Sequence, residues 1–539
     1  MRVRLADSAL EVEAERDDVG GPDEVVPAFG GTMRDGLGVR AGRGGVELCV
    51  LGGLLLDPVL GVIRASIGIT DGRVVAVGRA GNPDTMDGID VVLDAATAVV
   101  PATGMIVTPG AVDSHVHWLS PQVADTALSG GTTTLVIQDF GPMWNLGTNP
   151  GRVLQQTWAA LEDVPLNAAL LVRGSASRAD DIEAQLRAGG AGLKIHEDVG
   201  AGAPQIRAAL EVAERCDVQL AIHTDGLNEV MTVTETAAAF AGRTVHAFHI
   251  EGAGGGHAPD LLELCSHPNV LTSSTSPTVP YGRWAVEDNL AMVAAVHEQH
   301  VGGRAGDAQA VRARARAWTI AAEGALHDLG VIPMVSSDSQ GMGRAGQVLR
   351  TALQNADAMR RQRGSEPGGR ADNERVLRHV AKATVNPAIA HGLAGHVGSL
   401  QPGRLADVVI WRPQQLGVRP EMVLKQGLVV WGASGVGDAA TSFSEPVRVG
   451  PQVGARGAAP ARCSVAFLAG TAMQAELPTT RERLEVRGCR GLGAEDMVRN
   501  TLRGAVVVDP KREEVRLDGE PVAMALVERV AFGPSHLLG

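Results

Sequence analysis

Residues of the types that commonly bind divalent metal ions follow several apolar, strand-like runs of this sequence. They are His115 and His117 in DSHVH, Lys194 in GLKIHED, His223 in AIHTD, His249 in AFHIEG and Asp338 in VSSDSQ. A buried lysine packs poorly beside four histidines and an aspartate, but carbon dioxide converts its neutral amine into an anionic carbamate that can bridge two ions. The pattern therefore predicts a two-metal centre of the kind that hydrolyses C–N bonds.

Strand geometry explains how these side chains can meet. Alternate residues of a strand share a face, so His115 and His117 point the same way and can bind one ion. The same rule places Lys194 and His196 on one face of their strand. If no metal is bound, Lys194 would instead pair with an interior carboxylate.

Two of the candidate metal ligands, His249 and Asp338, have alternative interpretations. His246 lies three residues before His249, and in a regular strand the two would face opposite sides. We expect His249 to be the ligand and His246 to have a surface or supporting role. Asp338 could bind the second ion and later hold the proton of the attacking water, or it could cap the segment SQGMGRAG.

The segment that carries these residues alternates strands with helical stretches. The strand candidates span residues 105–117, 132–137, 166–172, 192–196, 218–223, 244–250, 269–274 and 332–337. Such alternation predicts parallel βα units, and eight of them predict an α/β fold with a (β/α)8 TIM-type barrel. In such a barrel, functional side chains converge at the carboxyl ends of the strands.

The rest of the chain suggests additions to the barrel. We predict that residues 1–107 form the N-terminal part of a composite β domain, with a hairpin at Asp71–Gly72. The barrel would cover 108–390, with a lid at about 285–330. Residues 391–435 would return as strands of the β domain, and 436–539 would form a linker and a small C-terminal α/β tail.

Composition excludes several functional classes. The 539 residues include 48 Lys and Arg against 61 Asp and Glu, a net charge of -13 that argues against nucleic acid or an anionic membrane as the main partner. The five cysteines lie far apart, which argues against a zinc knuckle or a disulfide framework and indicates a reducing compartment. We see no apolar export signal and no stretch of about 20 apolar residues, so we expect a cytoplasmic protein.

Seven motifs resemble the alpha (catalytic) subunit of urease, in the amidohydrolase superfamily. They are AGNPDTMDG, IVTPGAVDSHVH, GLKIHED, AIHTDGLNE, FHIEGAGGGHAPD, SSDSQGMGR and NPAIAHG. The likeness runs from RLADSALEVE to EEVRLDGE. It implies a nickel-dependent enzyme that cleaves urea to ammonia and carbamate by attack of a metal-bound hydroxide. It also implies a trimeric assembly with smaller beta and gamma subunits, and accessory proteins that deliver nickel.

The resemblance also implies how the metal ligands are divided. His223 and His249 would hold one Ni²⁺, while His115, His117 and Asp338 hold the other. Carbamylated Lys194 would bridge the two ions. Another divalent metal remains an alternative to nickel.

The resemblance further implies residues that handle the substrate. His196 would hydrogen-bond the substrate carbonyl, and His297 in the lid would act as an acid or as an electrostatic stabiliser. Asp198 and Arg314 would orient His297, and Gly341 and Met143 would line the substrate pocket. From the residues alone, His297 could be an ordinary polar residue of a helix, Asp198 a turn cap, and Arg314 one register choice within an arginine-rich run.

The sequence differs from this family at positions expected to lie in the substrate pocket and the lid. Val296 stands where the family has a cysteine next to the lid histidine, which predicts changed kinetics and insensitivity to thiol reagents there. Residues 138–151 replace a Gly-, Ala- and Thr-rich stretch with a loop that contains Phe140, Met143 and Trp144, and Gly341 replaces an alanine. Two alternatives stay open: a divergent amidohydrolase acting on a different linear or cyclic C–N substrate, and an inactive urease-subunit paralogue.

Overall fold

A computed structural model describes most of the chain. The described residues are 1–21, 24–140, 146–196, 202–223, 231–251, 261–275, 278–291, 316–343, 345–366, 371–434 and 448–533. Four predicted site residues, Met143, Asp198, His297 and Arg314, and also Val296, lie outside these ranges.

The centre of the fold is a barrel of eight parallel strands that pair in chain order. The strands are Ala111–Trp118, Thr132–Phe140, Asn167–Arg173, Gly192–Ile195, Leu220–Ile222, Val245–Ala247, Val270–Thr275 and Met334–Ser336. The first strand meets the end of the eighth, because the His117 N–H donates to the Ser339 carbonyl at 3.0 Å and the Ser339 N–H donates to the His115 carbonyl at 3.3 Å. The predicted α/β fold with a TIM-type barrel is confirmed.

The first predicted strand is in fact two strands that belong to different sheets. Ile106–Pro109 pairs with Val408–Trp411 in the β domain, and the barrel strand begins only at Ala111. Gly110 separates them, where an added Cβ would lie 2.1 Å from Thr133 Oγ1. The close approach of the second barrel strand thus requires glycine at this junction.

Helices cover the outside of the barrel and continue after it. They are Gln122–Ser129, Gly151–Ala160, Ala179–Arg187, Ala203–Cys216, Val233–Phe240, Ala317–Leu329, Val348–Arg363, Asn373–Lys382, Val385–Ala390 and Ala459–Arg462. Short 3₁₀ turns occupy Leu262–Ser266, Pro413–Gln415, Val453–Ala455, Gly470–Ala472 and Ala494–Asp496. Within the described part of the chain, every helix is too short or too polar to cross a membrane.

Two helices illustrate how local sequence sets the start of a helix and how a helix packs against the barrel. The helix Val233–Phe240 begins at a capping box, in which the Thr232 side chain accepts from the Glu235 N–H and the Glu235 carboxylate accepts from the Thr232 N–H. The helix Ala317–Leu329, at the end of the predicted lid segment, buries all its residues from Thr319 to Asp328. It therefore packs as a wall of the barrel between the seventh and eighth strands.

A second large sheet combines chain segments from before and after the barrel. Its strands are Arg16–Asp17, Leu48–Asp57, Gly61–Thr70, Arg73–Gly78, Ala98–Pro101, Ile106–Pro109, Val408–Trp411, Met422–Lys425, Leu428–Ser434 and Arg448–Pro451. The expected hairpin is present, with Asp71 at φ 50° and Gly72 at φ 70° between paired strands. Buried Asp407 ties this sheet to the barrel, since it accepts from Asn167 Nδ2 at 2.7 Å and Lys425 Nζ at 2.5 Å.

The remaining strands form small sheets. Arg2–Arg4 pairs with Glu11–Glu13, and Ala80–Gly81 pairs with Val91–Val92. Val465–Leu468 and Glu482–Glu485 extend the barrel sheet beside its third strand. Near the C-terminus, Val506–Asp509, Glu514–Leu517 and Glu520–Pro521 form a three-stranded antiparallel sheet.

Candidate metal centre

Three predicted ligands form a compact buried cluster where the barrel strands end. Ligand atoms of His115, His249 and Asp338 all lie within 4.8 Å of one another. Asp338 is central, because its Oδ1 lies 3.2 Å from His115 Nε2 and 2.8 Å from His117 Nε2, while its Oδ2 lies 3.5 Å from His249 Nε2. The carboxylate therefore lies close to imidazoles from the first strand and from the segment that follows the sixth.

The other predicted ligands lie beside this cluster. The His223 ring centroid lies 4.2 Å from that of His249 and 6.3 Å from that of His115. Lys194, which is 1% exposed, places Nζ 4.3 Å from the centroid of the Phe248 ring. The His115 ring stacks on the same phenyl ring at 4.1 Å. The structure thus gathers all six metal-ligand candidates in one cluster, with the Phe248 ring as a floor beneath Lys194 and His115.

His196 and Gly341 also adjoin this cluster. The His196 ring lies 4.7 Å from that of His223, and the residue is buried. Gly341 follows Asp338 in a tight turn, where an added Cβ would lie 2.4 Å from Asp338 Oδ1. A Cβ at position 341, as in the alanine of the family, would therefore require the Asp338 carboxylate to take a different position.

Two of the ligand candidates have a backbone that L-residues rarely adopt. His249 has φ 49° and Asp338 has φ 53°, a left-handed conformation that costs on the order of 1–3 kcal/mol for a residue with a side chain. For Asp338 the turn offsets this cost, because its carbonyl accepts the N–H groups of Gly341, Met342 and Gly343 at 2.9 to 3.0 Å. Strain of this kind concentrates at functional sites, since it aims side chains where a regular strand cannot.

The left-handed turn at His249 corrects the expectation for His246. A surface position for His246 is wrong: the side chain is fully buried, with Nδ1 3.0 Å from His391 Nε2 and Nε2 2.9 Å from Ser273 Oγ. Its ring lies 4.4 Å from Phe248, so it lies beneath the floor. Strand alternation fails here because His249 lies beyond the strand that ends at Ala247, and both histidines therefore face inward.

The protonation states suit metal coordination. Burial, the charge of Lys194 and the neighbouring histidines hold the pKa of His115 well below its usual value. Burial together with His249 and His196 has the same effect on the pKa of His223. Burial opposes ionisation of Asp338, yet its contact with His117 and the nearby charges keep its pKa below the usual value. Neutral imidazoles and an ionised carboxylate are the forms that bind divalent ions.

Two imidazole nitrogen atoms of the cluster make no hydrogen bond to a described residue and are therefore available to bind a metal ion. His115 Nδ1 and His249 Nε2 are buried and have no hydrogen-bond partner among the residues that the structure describes. Buried polar atoms are ordinarily paired, and a bound cation is one explanation for such exceptions. The donor set of nitrogen and oxygen atoms therefore fits a divalent metal ion.

Supporting contacts hold the ligand candidates in place, and sequence reasoning missed them. Thr275 Oγ1 lies 2.5 Å and Glu251 Oε1 lies 3.8 Å from His249 Nδ1. Asp113 accepts from the Ser337 N–H at 3.1 Å and the His115 N–H at 3.3 Å, which fixes the first strand against the eighth. Burial raises the pKa of Asp113 to about 7. Asp113 and Thr275 were recognisable in principle as polar residues within or at the end of apolar strands.

Comparison with known proteins identifies the family of this fold and site. Residues 106–438 match the amidohydrolase family, and residues 1–100 match the urease alpha-subunit N-terminal domain. The chain is 46% identical to urease subunit alpha 2 of Streptomyces coelicolor, over 100% of this chain and 97% of that protein. The chain belongs to the urease alpha-subunit family. It is also 45% identical to urease subunit alpha 1 of Streptomyces avermitilis, again over 100% of this chain and 97% of the relative.

Solved structures with low sequence identity share the fold. A D-hydantoinase matches with a TM-score of 0.50 and 16% identity, covering 71% of this chain and 95% of that one. A formyltransferase/hydrolase complex of Methylorubrum extorquens matches with a TM-score of 0.52 and 17% identity, covering 82% of this chain and 100% of that one. These likenesses concern the fold alone; the family matches and the relatives make the chain a urease-type amidohydrolase.

Proposed function

We propose that this chain is the catalytic subunit of a nickel-dependent hydrolase that cleaves urea, or a close urea-like amide, to ammonia and carbamate. The observation that carries the proposal is the buried cluster of His115, His249 and Asp338, whose ligand atoms lie within 4.8 Å of one another. Full-length likeness to urease alpha subunits supports the choice of urea.

The six clustered residues would hold two metal ions. His115, His117 and Asp338 would bind one ion, and His223 and His249 the other. Lys194, buried beside them, would bridge the ions as a carbamate. Two divalent ions at such a site supply a Lewis acid for the substrate carbonyl and lower the pKa of water toward neutrality.

The protein's own groups then orient the substrate and move protons. His196, whose ring centroid lies 4.7 Å from that of His223, would donate a hydrogen bond to the substrate carbonyl. Asp338, held ionised beside His117, would take the proton released as water attacks. His297 would deliver a proton to the departing amine, oriented by Asp198 and Arg314, because an imidazole titrates near neutral pH.

We also propose that the chain works in an assembly. The relatives are named as alpha subunits, which supports partnership with smaller beta and gamma subunits in a trimeric complex. Accessory proteins would load nickel and carbon dioxide, because a site buried beneath the strand ends has restricted access.

The test is metal analysis combined with substrate turnover. The chain should be co-produced with its partner subunits and accessory factors, and ammonia release measured on urea, biuret, hydantoins and simple amides. We expect two tightly bound ions per chain and turnover of urea. Turnover confined to other substrates would reject urea as the substrate.

A second candidate is a divergent amidohydrolase that acts on another linear or cyclic C–N substrate. It is favoured by the changed stretch 138–151, whose first residue, Gln138, is a bulky polar residue near the end of the second barrel strand and lies beside His117. An inactive paralogue would instead show weak or substoichiometric metal in protein matured with its own factors.

A further inference from the structure

We propose that Gln138 binds substrate and that the preferred substrates are N-carbonyl ureas, in which a urea nitrogen carries a second carbonyl group. This inference rests on the proposed function and deepens it. Biuret is the simplest member of the class.

The position of Gln138 points its side chain toward the candidate metal centre. Gln138 is the register partner of His117 on the neighbouring strand, and in-register residues of parallel strands project from the same face. Val136, two residues earlier, packs in the barrel interior with Val112 and Phe248. Since residues two apart share a face, Gln138 projects inward one layer above Val136.

Among the described residues, nothing forms a hydrogen bond with the side-chain amide of Gln138. The residue is 0% exposed, and both its Nε2 and its Oε1 are buried without a hydrogen bond to any described residue. Gln185, also buried, uses both ends of its amide: Oε1 accepts from the Asn149 N–H, and Nε2 donates to the Arg173 carbonyl at 2.8 Å. A buried amide with neither group paired is rare in folded proteins and indicates a ligand that pairs it.

The chemistry of the amide selects the ligand. Gln138 offers one acceptor oxygen and an NH₂ donor group. Urea with its only carbonyl turned toward the metal ligands presents just N–H groups, which would satisfy Oε1 and leave Nε2 unpaired. A substrate with a second carbonyl next to an N–H would pair with both ends of the amide. A site that leaves its own buried polar group unpaired discriminates against that ligand.

The experiment compares urea and biuret in the assembled, metal-loaded enzyme and in its Gln138→Met variant. Methionine keeps the length of the side chain and removes both hydrogen-bonding groups. We expect the wild type to have a higher kcat/KM for biuret than for urea. In the variant, the ratio of the biuret value to the urea value should be about tenfold smaller, which corresponds to the loss of one hydrogen bond. Urea turnover itself should change much less.

A matched control is Gln219→Met, because Gln219 is also buried and its Nε2 donates to the Ala390 carbonyl at 2.7 Å. This variant should lower stability and leave the biuret-to-urea ratio unchanged. Calorimetric affinities of biuret and urea give the same comparison if the enzyme turns over neither.

The outcomes separate the two proposals. A wild-type preference that Gln138→Met reduces, with Gln219→Met unaffected, supports the inference. Urea turnover with a ratio that Gln138→Met does not alter overturns it and leaves the proposed function intact. Biuret affinity that is equal in wild type and variant also overturns it, whether or not urea is hydrolysed.

Discussion

Replacing Gly341 by alanine tests how tightly the structure positions Asp338. The added Cβ would lie 2.4 Å from Oδ1, 2.9 Å from Cγ and 3.0 Å from Oδ2 of Asp338, whereas ordinary contact begins at 3.4 Å. The carboxylate must therefore move by about 1 Å. The backbone offers little relief, because the N–H groups of Gly341, Met342 and Gly343 all donate to the Asp338 carbonyl.

This displacement sets the expected size of the effect. A shift of that size would lengthen the contacts of Oδ1 with His117 Nε2, now 2.8 Å, and His115 Nε2, now 3.2 Å, beyond hydrogen-bonding range. Misplacement by about 1 Å at a reacting centre costs on the order of 100-fold in rate. Overpacking of this kind costs about 1–3 kcal/mol of stability.

The assay is bound metal per chain, ammonia release and thermal unfolding of Gly341→Ala beside wild type. Gly450→Ala is the control, because an added Cβ there meets nothing within 4 Å and the φ is not left-handed. Because the family carries alanine at this position, the expected loss is specific to the Asp338 position described for this chain: we expect reduced metal and a large loss of rate for Gly341→Ala and not for Gly450→Ala. Full metal occupancy with a rate within twofold of wild type would show that Asp338 is not held as described.

Three further variants test other parts of the structure. Lys194→Ala should abolish metal binding as measured by elemental analysis, and full retained activity would contradict a bridging carbamate. Lys425→Met should lower the free energy of unfolding by about 3–5 kcal/mol, because it leaves the Asp407 carboxylate buried without its cation; an unchanged guanidinium midpoint would refute this. Burial, with the charge of Lys382, lowers the pKa of His379 to about 3. Between about pH 6.5 and pH 3 this residue is therefore protonated in the unfolded chain and neutral in the folded chain. Its contribution lowers the free energy of unfolding by about 1.4 kcal/mol for each pH unit by which the pH decreases. His379→Gln should flatten this pH dependence in chemical unfolding, whereas the exposed His267→Gln should not; equal slopes in all three proteins would contradict it.

Regular elements were predictable from the sequence because strand periodicity is a local property. Apolar runs identified all eight barrel strands, and the two-residue repeat placed His115 and His117 together. The exception was the first run, which continues apolar through Gly110 while the chain passes from one sheet to another. Only the tertiary contact of Gly110 with Thr133 marks that boundary.

The details of the site depended on backbone geometry that periodicity does not contain. The left-handed φ of His249 directs it inward although His246 also faces inward, so of the two positions expected for His246, at the surface or in support of the site, the surface one is excluded. The buried amide of Gln138 was equally hidden, because the sequence identified a changed loop but not the register that sets this residue beside His117.

The most direct test of the metal centre is anomalous diffraction at the nickel edge from crystals of the fully matured assembly. We predict two peaks about 3.5–4 Å apart, surrounded by His115, His117, His223, His249 and Asp338, with extra density joined to Lys194 Nζ. Active protein with no anomalous peak at these side chains, or with metal bound elsewhere, would contradict the two-metal account.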